Sequence, residues 1–440
     1  MFENDERGKM VKRALLVGAF METSARPEAD SLLRELGELV DTLGIPAGGR
    51  MLVQFREMHA RYLIGSGKAE EICAQARTDE CDVIIFDNEL SPSQQRNWEK
   101  LAGMAVIDRT EVILDIFAQR AQTREARLQV ELAQLQYSLP RLTRAWGHLV
   151  RQGGGIGARG EGETQLEQDK RRVRGTIDRC RRELEQVRAA RATQRKDRKR
   201  APVPNAAIVG YTNSGKSSLL RRLTGADVLV EDKLFATLDT TTRKIALPNR
   251  QPLLLTDTVG FVRRLPHGLV EAFRATLEEA TMADFLIHLL DASAPEVLEF
   301  YDTTLKVLGE LGADERPMLV VFNKIDLVED PATLAALRHR FPSAAFISVQ
   351  TGAGIAELIE LIAEQVAAGS VTAELRIPQS EAEIIARIHR QAQVLESEYL
   401  DDTVRLVAVL PARLAVECGE WITAPAEEKE ARLVESFETK

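Results

Sequence analysis

The segment Ala206-Ala-Ile-Val-Gly210-Tyr-Thr-Asn-Ser-Gly215-Lys216-Ser217 constrains the fold more than any other stretch of this 440-residue chain. An apolar, strand-sized run enters a G-x-x-x-x-G-K-S loop, and the helix-forming SLLRRLTG leaves it. That order points successive backbone N–H groups at an anion from a helix N-terminus. Lys216 is then placed to reach β- and γ-phosphates, and the Ser217 hydroxyl to ligate Mg²⁺.

Three more loops follow in chain order, each closing an apolar run. Asp257-Thr258-Val259-Gly260 ends PLLLT; an acid there can hold Mg²⁺ through water, and the Gly260 amide can sense a γ-phosphate. Asn323-Lys324-Ile325-Asp326 ends MLVVF. The two oxygens of Asp326 match the paired N–H donors of guanine, an arrangement adenine lacks, while Asn323 and the Lys324 stem frame the base. Ser348-Val349-Gln350 follows AAFI, where a backbone amide can read the guanine carbonyl. Taken with Gly210, Tyr211, Thr212, Asn213, Ser214, Gly215, Lys216 and Ser217, these loops describe a guanine-nucleotide site. Between the first two lies Leu234-Phe-Ala-Thr-Leu-Asp-Thr-Thr-Thr-Arg243, where one hydroxyl is needed to register the γ-phosphate.

Around this site the pattern is α/β. RALLVGAF (13–20), DVIIFDNEL (82–90) and AVID (105–108) read as strands; 31–44 and 68–78 read as helices. Alternation resumes over NAAIVG, KIALP, PLLLTDT, FLIHLLD, MLVVFN and AAFISV, so mostly parallel sheets are expected. The acidic tail holds VTAELRIP, a helix over SEAEIIARIHRQAQ and the strand VRLVAVLP, a small α+β domain. The expected division is an N-terminal α/β domain (1–120), a basic helical hairpin (121–200), a nucleotide domain with a mostly parallel sheet (203–369) and the small C-terminal domain (370–440).

Charge is distributed unevenly. Residues 121–200 hold 20 Lys and Arg against 10 Asp and Glu, whereas the rest of the chain holds 38 against 57, giving −9 overall. VILDIFAQRAQTREARLQVELAQLQ reads as one long helix, and a second begins near Glu163 with an apolar stripe of Leu166, Val173, Ile177, Leu184 and Val187. Six glycines lie between Gly153 and Gly162. Such a hairpin is either a solvated coiled coil or an arm whose glycine tip approaches a phosphate backbone. The four scattered cysteines never form a C-x-x-C pair, which excludes a zinc ribbon or a disulfide framework and fits a reducing cytoplasm. No apolar run reaches the length of a membrane span.

HARYLIGSGKAEEI (59–72), FDNELSPSQQRN (86–97), VIDRTEVILDIFAQRA (106–121), GGGIGARGEGETQLE (153–167), VGYTNSGKSSL (209–219), LFATLDTTTR (234–243) and DTVGFVRRLPH (257–267) together resemble the HflX family of ribosome-associated GTPases. The resemblance implies hydrolysis of GTP to GDP and phosphate, binding to the large ribosomal subunit and its RNA, and splitting or rescue of ribosomes under stress. It places the effector segment on Phe235, Ala236, Thr237, Leu238 and Asp239, with Mg²⁺ held by Ser217 and Thr237. It favours RNA contact at the hairpin tip, through Arg151, Gly153, Gly154, Gly155, Gly157 and Arg159, with Arg171 and Arg172 flanking. Two departures stand out: Glu161 where a proline is more usual, and Val349 where alanine is commoner. The expected protein is a monomer, cytoplasmic and partly ribosome-associated. The rival is a GTP-regulated partner in RNA remodelling or modification.

A glutamine that orients the attacking water in Ras-like proteins is missing, since Phe261 follows Gly260. The catalytic group is therefore unassigned, and slow intrinsic hydrolysis with ribosomal stimulation is expected. Asn213 resembles the asparagine of GTPases that recruit K⁺ beside the phosphates; a purely bracing role is the alternative. Gly65-Ser66-Gly67-Lys68 lacks full phosphate-loop spacing and reads as a structural or RNA-facing turn rather than an ATP site. His59 and Arg61 read as surface or packing residues, and His267 and His288 have no metal-ligand spacing around them.

Overall fold

A computed structural model describes residues 11–144, 161–199, 203–225, 234, 235, 238, 240–248, 251–264, 279–368 and 370–425. The chain forms two compact units. The first comprises Met1–Ala189 with Glu231–Asp239 and Val262–Ala275; the second comprises Ala190–Val230, Thr240–Phe261 and Thr276–Lys440.

The first unit contains a parallel sheet in the order β2-β1-β3-β4, formed by Ala47–Gln54, Ala14–Phe20, Val83–Phe86 and Ala105–Asp108. Helices α1 (Arg26–Thr42), α2 (Ser66–Thr78), α3 (Pro92–Ala102) and α4 (Arg109–Arg120) accompany it. Every residue of β1 is buried, as expected of a central parallel strand covered on both faces. Trp98 anchors one face of the core against Phe86 and Tyr62. The glycine-containing strand β2 and helix α3 carry weak local signals and were not foreseen; α3 is fixed by a Ser91/Gln94 capping box and Pro92 at its first turn.

The expected long helix over residues 112–136 is two helices. α4 ends at Arg120, and α5 (Arg124–Ser138) restarts behind Thr123, whose hydroxyl accepts from the Ala126 amide. A side-chain cap inside an otherwise helical pattern breaks it, because it gives the new first turn its missing acceptor. α5 runs antiparallel to the long helix Glu161–Lys199: Arg124 pairs with Glu183 and Glu131 with Arg179. Leu128 and Leu132 bury against Ile177, Cys180 and Leu184, with Val173 and Leu135 half-buried beside them. The glycine tip and the Leu166 side chain lie outside the described residues.

In the second unit a six-stranded sheet runs β10-β9-β8-β5-β7-β6. Its strands are Ala345–Phe346, Met318–Asn323, Phe285–Asp291, Asn205–Val209, Pro252–Asp257 and Thr241–Ala246, and only β6 is antiparallel. Of the expected strand AAFISV only Ala345 and Phe346 pair, because Ile347 onward turns into a loop. Period-2 alternation splits β8 between two cores: Phe285, Ile287 and Leu289 meet helices Lys216–Thr224 and Ile355–Ala368, while Leu290 joins Val297 of helix Val297–Leu311.

The tail forms an antiparallel sheet, β12-β13-β11-β14, from Gln393–Tyr399, Thr403–Pro411, Ser370–Pro378 and Ile422–Pro425. One face packs Leu375, Ile377, Leu406 and Leu410 against Ile385 and Ile388 of helix Ala382–Gln391. The other face carries Arg405 bonded to Glu374 at 2.8 Å and Glu396 at 3.2 Å. No helix among the described residues is long and apolar enough to cross a membrane.

Candidate nucleotide site

β5, β7, β9 and β10 are parallel, so the loops that leave their carboxyl ends emerge at one edge of the sheet. This is where open α/β sheets bind ligands. The four loops read from the sequence are those loops, and hydrogen bonds tie them together. Ser217 Oγ donates to Asp257 Oδ2 at 2.7 Å. Asn323 Nδ2 donates to the Ser214 carbonyl at 2.9 Å, and its Oδ1 accepts from the Val349 amide at 3.1 Å. Asn323 thus braces the phosphate loop against the loop that begins at Ser348, a structural task beyond framing a base. Lys324 ion-pairs with Asp291 at 2.7 Å, Ile325 is half-buried, and Asp326 is exposed. Ser348 is fully buried and accepts from the Thr351 amide, while Gln350 is exposed.

The phosphate loop needs glycine for a steric reason. Gly210 has φ +148°, and a Cβ there would run into the Leu289 carbonyl of β8. Tyr211 stacks on Phe300 with ring centroids 4.0 Å apart, Thr212 and Ser214 are buried, and Asn213 is exposed with φ +59°. Lys216, at the start of its helix, donates to the carbonyls of Gly210 at 3.1 Å and Tyr211 at 2.7 Å. Burial pushes its ammonium down to about 8, and the neighbouring Asp257 carboxylate pulls the other way. Protonation at neutral pH is retained, so the cation a phosphate requires is present.

Asp257, Thr258 and Val259 are buried, and Thr258 Oγ1 bonds the Ile208 carbonyl at 2.7 Å. Phe261 is 2% exposed. Its amide donates to the Gly210 carbonyl at 3.1 Å, and its carbonyl accepts from the Thr212 amide at 2.8 Å. The residue at the water-orienting position is therefore an apolar side chain in the core, with its backbone fastened to the phosphate loop. His288 is buried in β8 and stacked on Tyr301, with neither ring nitrogen hydrogen-bonded.

Ser217 Oγ and Asp257 Oδ2 lie side by side, a hydroxyl and a carboxylate of the hard-oxygen type that suits Mg²⁺. Ala236, Thr237 and Asp239 lie outside the described residues. In the first unit, Leu238 is buried and Phe235 packs edge-on against Phe117 at 4.6 Å. Among the hairpin candidates, Arg171 and Arg172 are exposed on the long helix; Arg151, Gly153, Gly154, Gly155, Gly157 and Arg159 lie outside the described residues. Among the described residues no cluster of His, Cys, Asp or Glu is arranged to hold a metal by three or more such ligands.

Sequence reasoning passed over an ionic network in the first unit: Glu35, Asp87, Arg109 and Arg263 are buried, and the exposed Arg264 joins them. Glu35 and Arg263 are 228 positions apart, so no local pattern links them. The available signal was the charge in three of the quoted segments, FDNELSPSQQRN, VIDRTEVILDIFAQRA and DTVGFVRRLPH.

Three family models match consecutive parts of the chain: GTP-binding GTPase N-terminal over residues 30–118, GTP-binding GTPase Middle Region over 120–198, and 50S ribosome-binding GTPase over 205–324. The GTPase HflX of Akkermansia muciniphila is 52% identical over 423 residues, covering 93% of this chain and 97% of that protein. The GTPase HflX of Escherichia coli is 44% identical over 371 residues, covering 84% and 87%. A GTP-binding protein from Sulfolobus solfataricus, solved in complex with GDP, is 26% identical with a TM-score of 0.43, spanning 80% of this chain and 98% of its own. Both the relatives' extent and the match of all three family models show that the chain belongs to the HflX family of GTPases.

Proposed function

We propose that this GTPase binds the large ribosomal subunit in its GTP form and dissociates or rescues ribosomes under stress. The observation that carries the reading is Phe261, buried where a water-orienting side chain would stand. A GTPase built this way hydrolyses slowly alone and depends on a partner to supply or order the missing group. The family model over residues 205–324 is described as a 50S ribosome-binding GTPase, which supports the large subunit as that partner. A basic hairpin in an otherwise acidic chain supports RNA as the surface contacted.

Within this reading Gly210–Ser217, Asp257–Gly260, Asn323–Asp326 and Ser348–Gln350 hold the guanine nucleotide, and residues 235–239 form the effector segment. Ser217 and Thr237 would hold Mg²⁺, which would supply positive charge beside the phosphates, and Asp257 is the acid nearest the Ser217 hydroxyl. Asn213, exposed at the loop's tip, is the candidate K⁺ ligand. Equal hydrolysis rates in K⁺ and Na⁺ buffers would remove that assignment.

Co-sedimentation with large subunits through sucrose, using GDP, GTP and a nonhydrolysable analogue, tests the central claim. The expected result is retention with the analogue, little with GDP, and faster phosphate release when subunits are added. Equal retention in all three nucleotides, or brisk hydrolysis by the chain alone, defeats it. Binding to naked RNA without a preference for large subunits points instead to RNA remodelling.

A further inference from the structure

β8 and β9 run parallel and in register, so Asp291 at the last position of β8 lies beside Asn323 at the last position of β9. The Ala292 amide donates to the Asn323 carbonyl at 2.8 Å, which carries the pairing one residue past the end of β8. Lys324 comes next, in the left-handed conformation at φ +61°. A residue with a side chain adopts that conformation only where its surroundings hold it, and such residues gather at ligand sites. The chain on either side of Lys324 is held. Asn323 is bonded through its side chain to Ser214 and Val349, and the Ile325 amide donates to the Ile347 carbonyl at 3.3 Å.

The Lys324 side chain is tied down in turn by Asp291. Its ammonium meets Asp291 Oδ2 at 2.7 Å. The other carboxylate oxygen is already engaged: Oδ1 accepts from the Ser293 amide at 3.0 Å and from Ser293 Oγ at 2.6 Å. Those two bonds fix the carboxylate on the turn that leaves β8, so the ion pair fixes the far end of the lysine. The partners are only 24% and 19% exposed, which spares the pair much of the screening that makes surface ion pairs weak. A lysine side chain is long and flexible, and ordering it costs conformational entropy. The ion pair supplies that order from within the protein.

We infer that Asp291 is a positioning residue for the guanine base: it holds the Lys324 stem in the arrangement that frames the base, so that nucleotide binding does not have to order that side chain. The inference rests on the reading that the Lys324 stem frames the base. Preorganisation of this kind adds affinity without any contact between Asp291 and the ligand. GDP and GTP share the base, so Asp291 acts on both equally.

The test measures Kd for GDP and for a nonhydrolysable GTP analogue with Mg²⁺, on the full chain and on Asp291→Asn, Lys324→Met, the double variant and Lys324→Ala. Asp291→Asn removes the charge and keeps an oxygen for the Ser293 donors. Lys324→Met removes the ammonium, keeps an apolar stem and leaves Asp291 untouched, so it probes the same tie from the other side if Asp291→Asn does not fold. Each single variant is expected to weaken both nucleotides about fivefold, within the range for releasing one flexible side chain. The double variant is expected to weaken them about fivefold as well, because both changes break one tie. A product near about 25-fold means that the two residues act independently, and overturns the inference. Unchanged affinity in either single variant, or a loss confined to the analogue, overturns it too. Lys324→Ala removes the stem as well and reads the pocket separately. A loss larger than that of Lys324→Met upholds the framing role, whereas undiminished affinity would show that the base pocket itself is misassigned and take the inference with it.

Discussion

At the residue scale, the placement of the motif residues was readable because each motif couples a residue type to a strand end. Lys216 and Asp257 occupy the positions their motifs imply, and Ser217 touches Asp257 directly. What could not be read was the double duty of Asn323, whose amide links Ser214 to Val349; that depends on strands brought together by the sheet. Asp326, by contrast, stands exposed, and under the proposed function it recognises the base. Asp326→Asn exchanges a bidentate acceptor for a mixed donor–acceptor, so affinity for GTP should fall by roughly 30-fold or more, the worth of about 2 kcal/mol for hydrogen bonds to a charged group. Xanthine nucleotide should gain in competition assays. Undiminished GTP affinity in this variant would contradict the assignment of the base pocket. His288 supplies a different kind of prediction. Burial, with Lys216 adding to it, lowers its pKa from 6.5 to about 3. A histidine with a depressed folded pKa keeps its full stabilising contribution above 6.5 and loses it as pH falls toward 3, because the unfolded chain takes the proton first. Burial and the Asp108 carboxylate raise Glu111 to about 7, with the opposite slope between 4.5 and 7, so the wild-type curve alone is not diagnostic. The difference between His288→Leu and wild type is: relative to pH 7, the variant should gain about 1.4 kcal/mol per pH unit below 6.5. Urea unfolding at pH 7, 6 and 5 measures it, and parallel curves would mean that His288 takes up its proton when folded.

At the element scale, long periodic segments were legible and interruptions were not. The parallel strands β1, β3, β5 and β8 announce themselves as continuous apolar runs, since both faces are covered. β2 reads AGGRMLVQ, too rich in glycine and too polar to stand out, and is a strand because β1 pairs along its length. β12 likewise becomes a strand by pairing with β13. The break between α4 and α5 is local chemistry that periodicity hides: one threonine hydroxyl stops one helix from running into the next. Thr123→Ala should therefore cost about 1 kcal/mol, while Thr123→Ser should recover most of it. Denaturant midpoints of the three proteins decide the point; an unaffected alanine variant would show that tertiary packing, not the cap, sets the start of α5.

For the whole molecule, charge is the property that sequence and structure explain together. The net −9 is an average over a basic stretch, residues 121–200, whose described part includes two antiparallel helices, Arg124–Ser138 and Glu161–Lys199, with apolar contacts through Leu128, Leu132, Ile177 and Leu184, and an acidic remainder. Those contacts use one stripe of the long helix, so its other positions are free to carry charge; Arg171 and Arg172 are exposed there, with Arg172 only loosely paired to Asp169 at 3.8 Å. An exposed arginine pair on a supported helix costs the fold little, and against an RNA backbone each displaces condensed counterions. Arg171→Glu with Arg172→Glu should therefore weaken binding to large subunits at low salt and flatten its salt dependence. If both arginines meet phosphates, the slope of log K against log salt should shrink by about 1.4, on the scale of ~0.7 per neutralised phosphate. Circular dichroism at the same salt concentrations checks that the helices persist. A variant whose affinity and slope match the parent would place the RNA contact elsewhere on the hairpin and leave these two arginines as solvated surface.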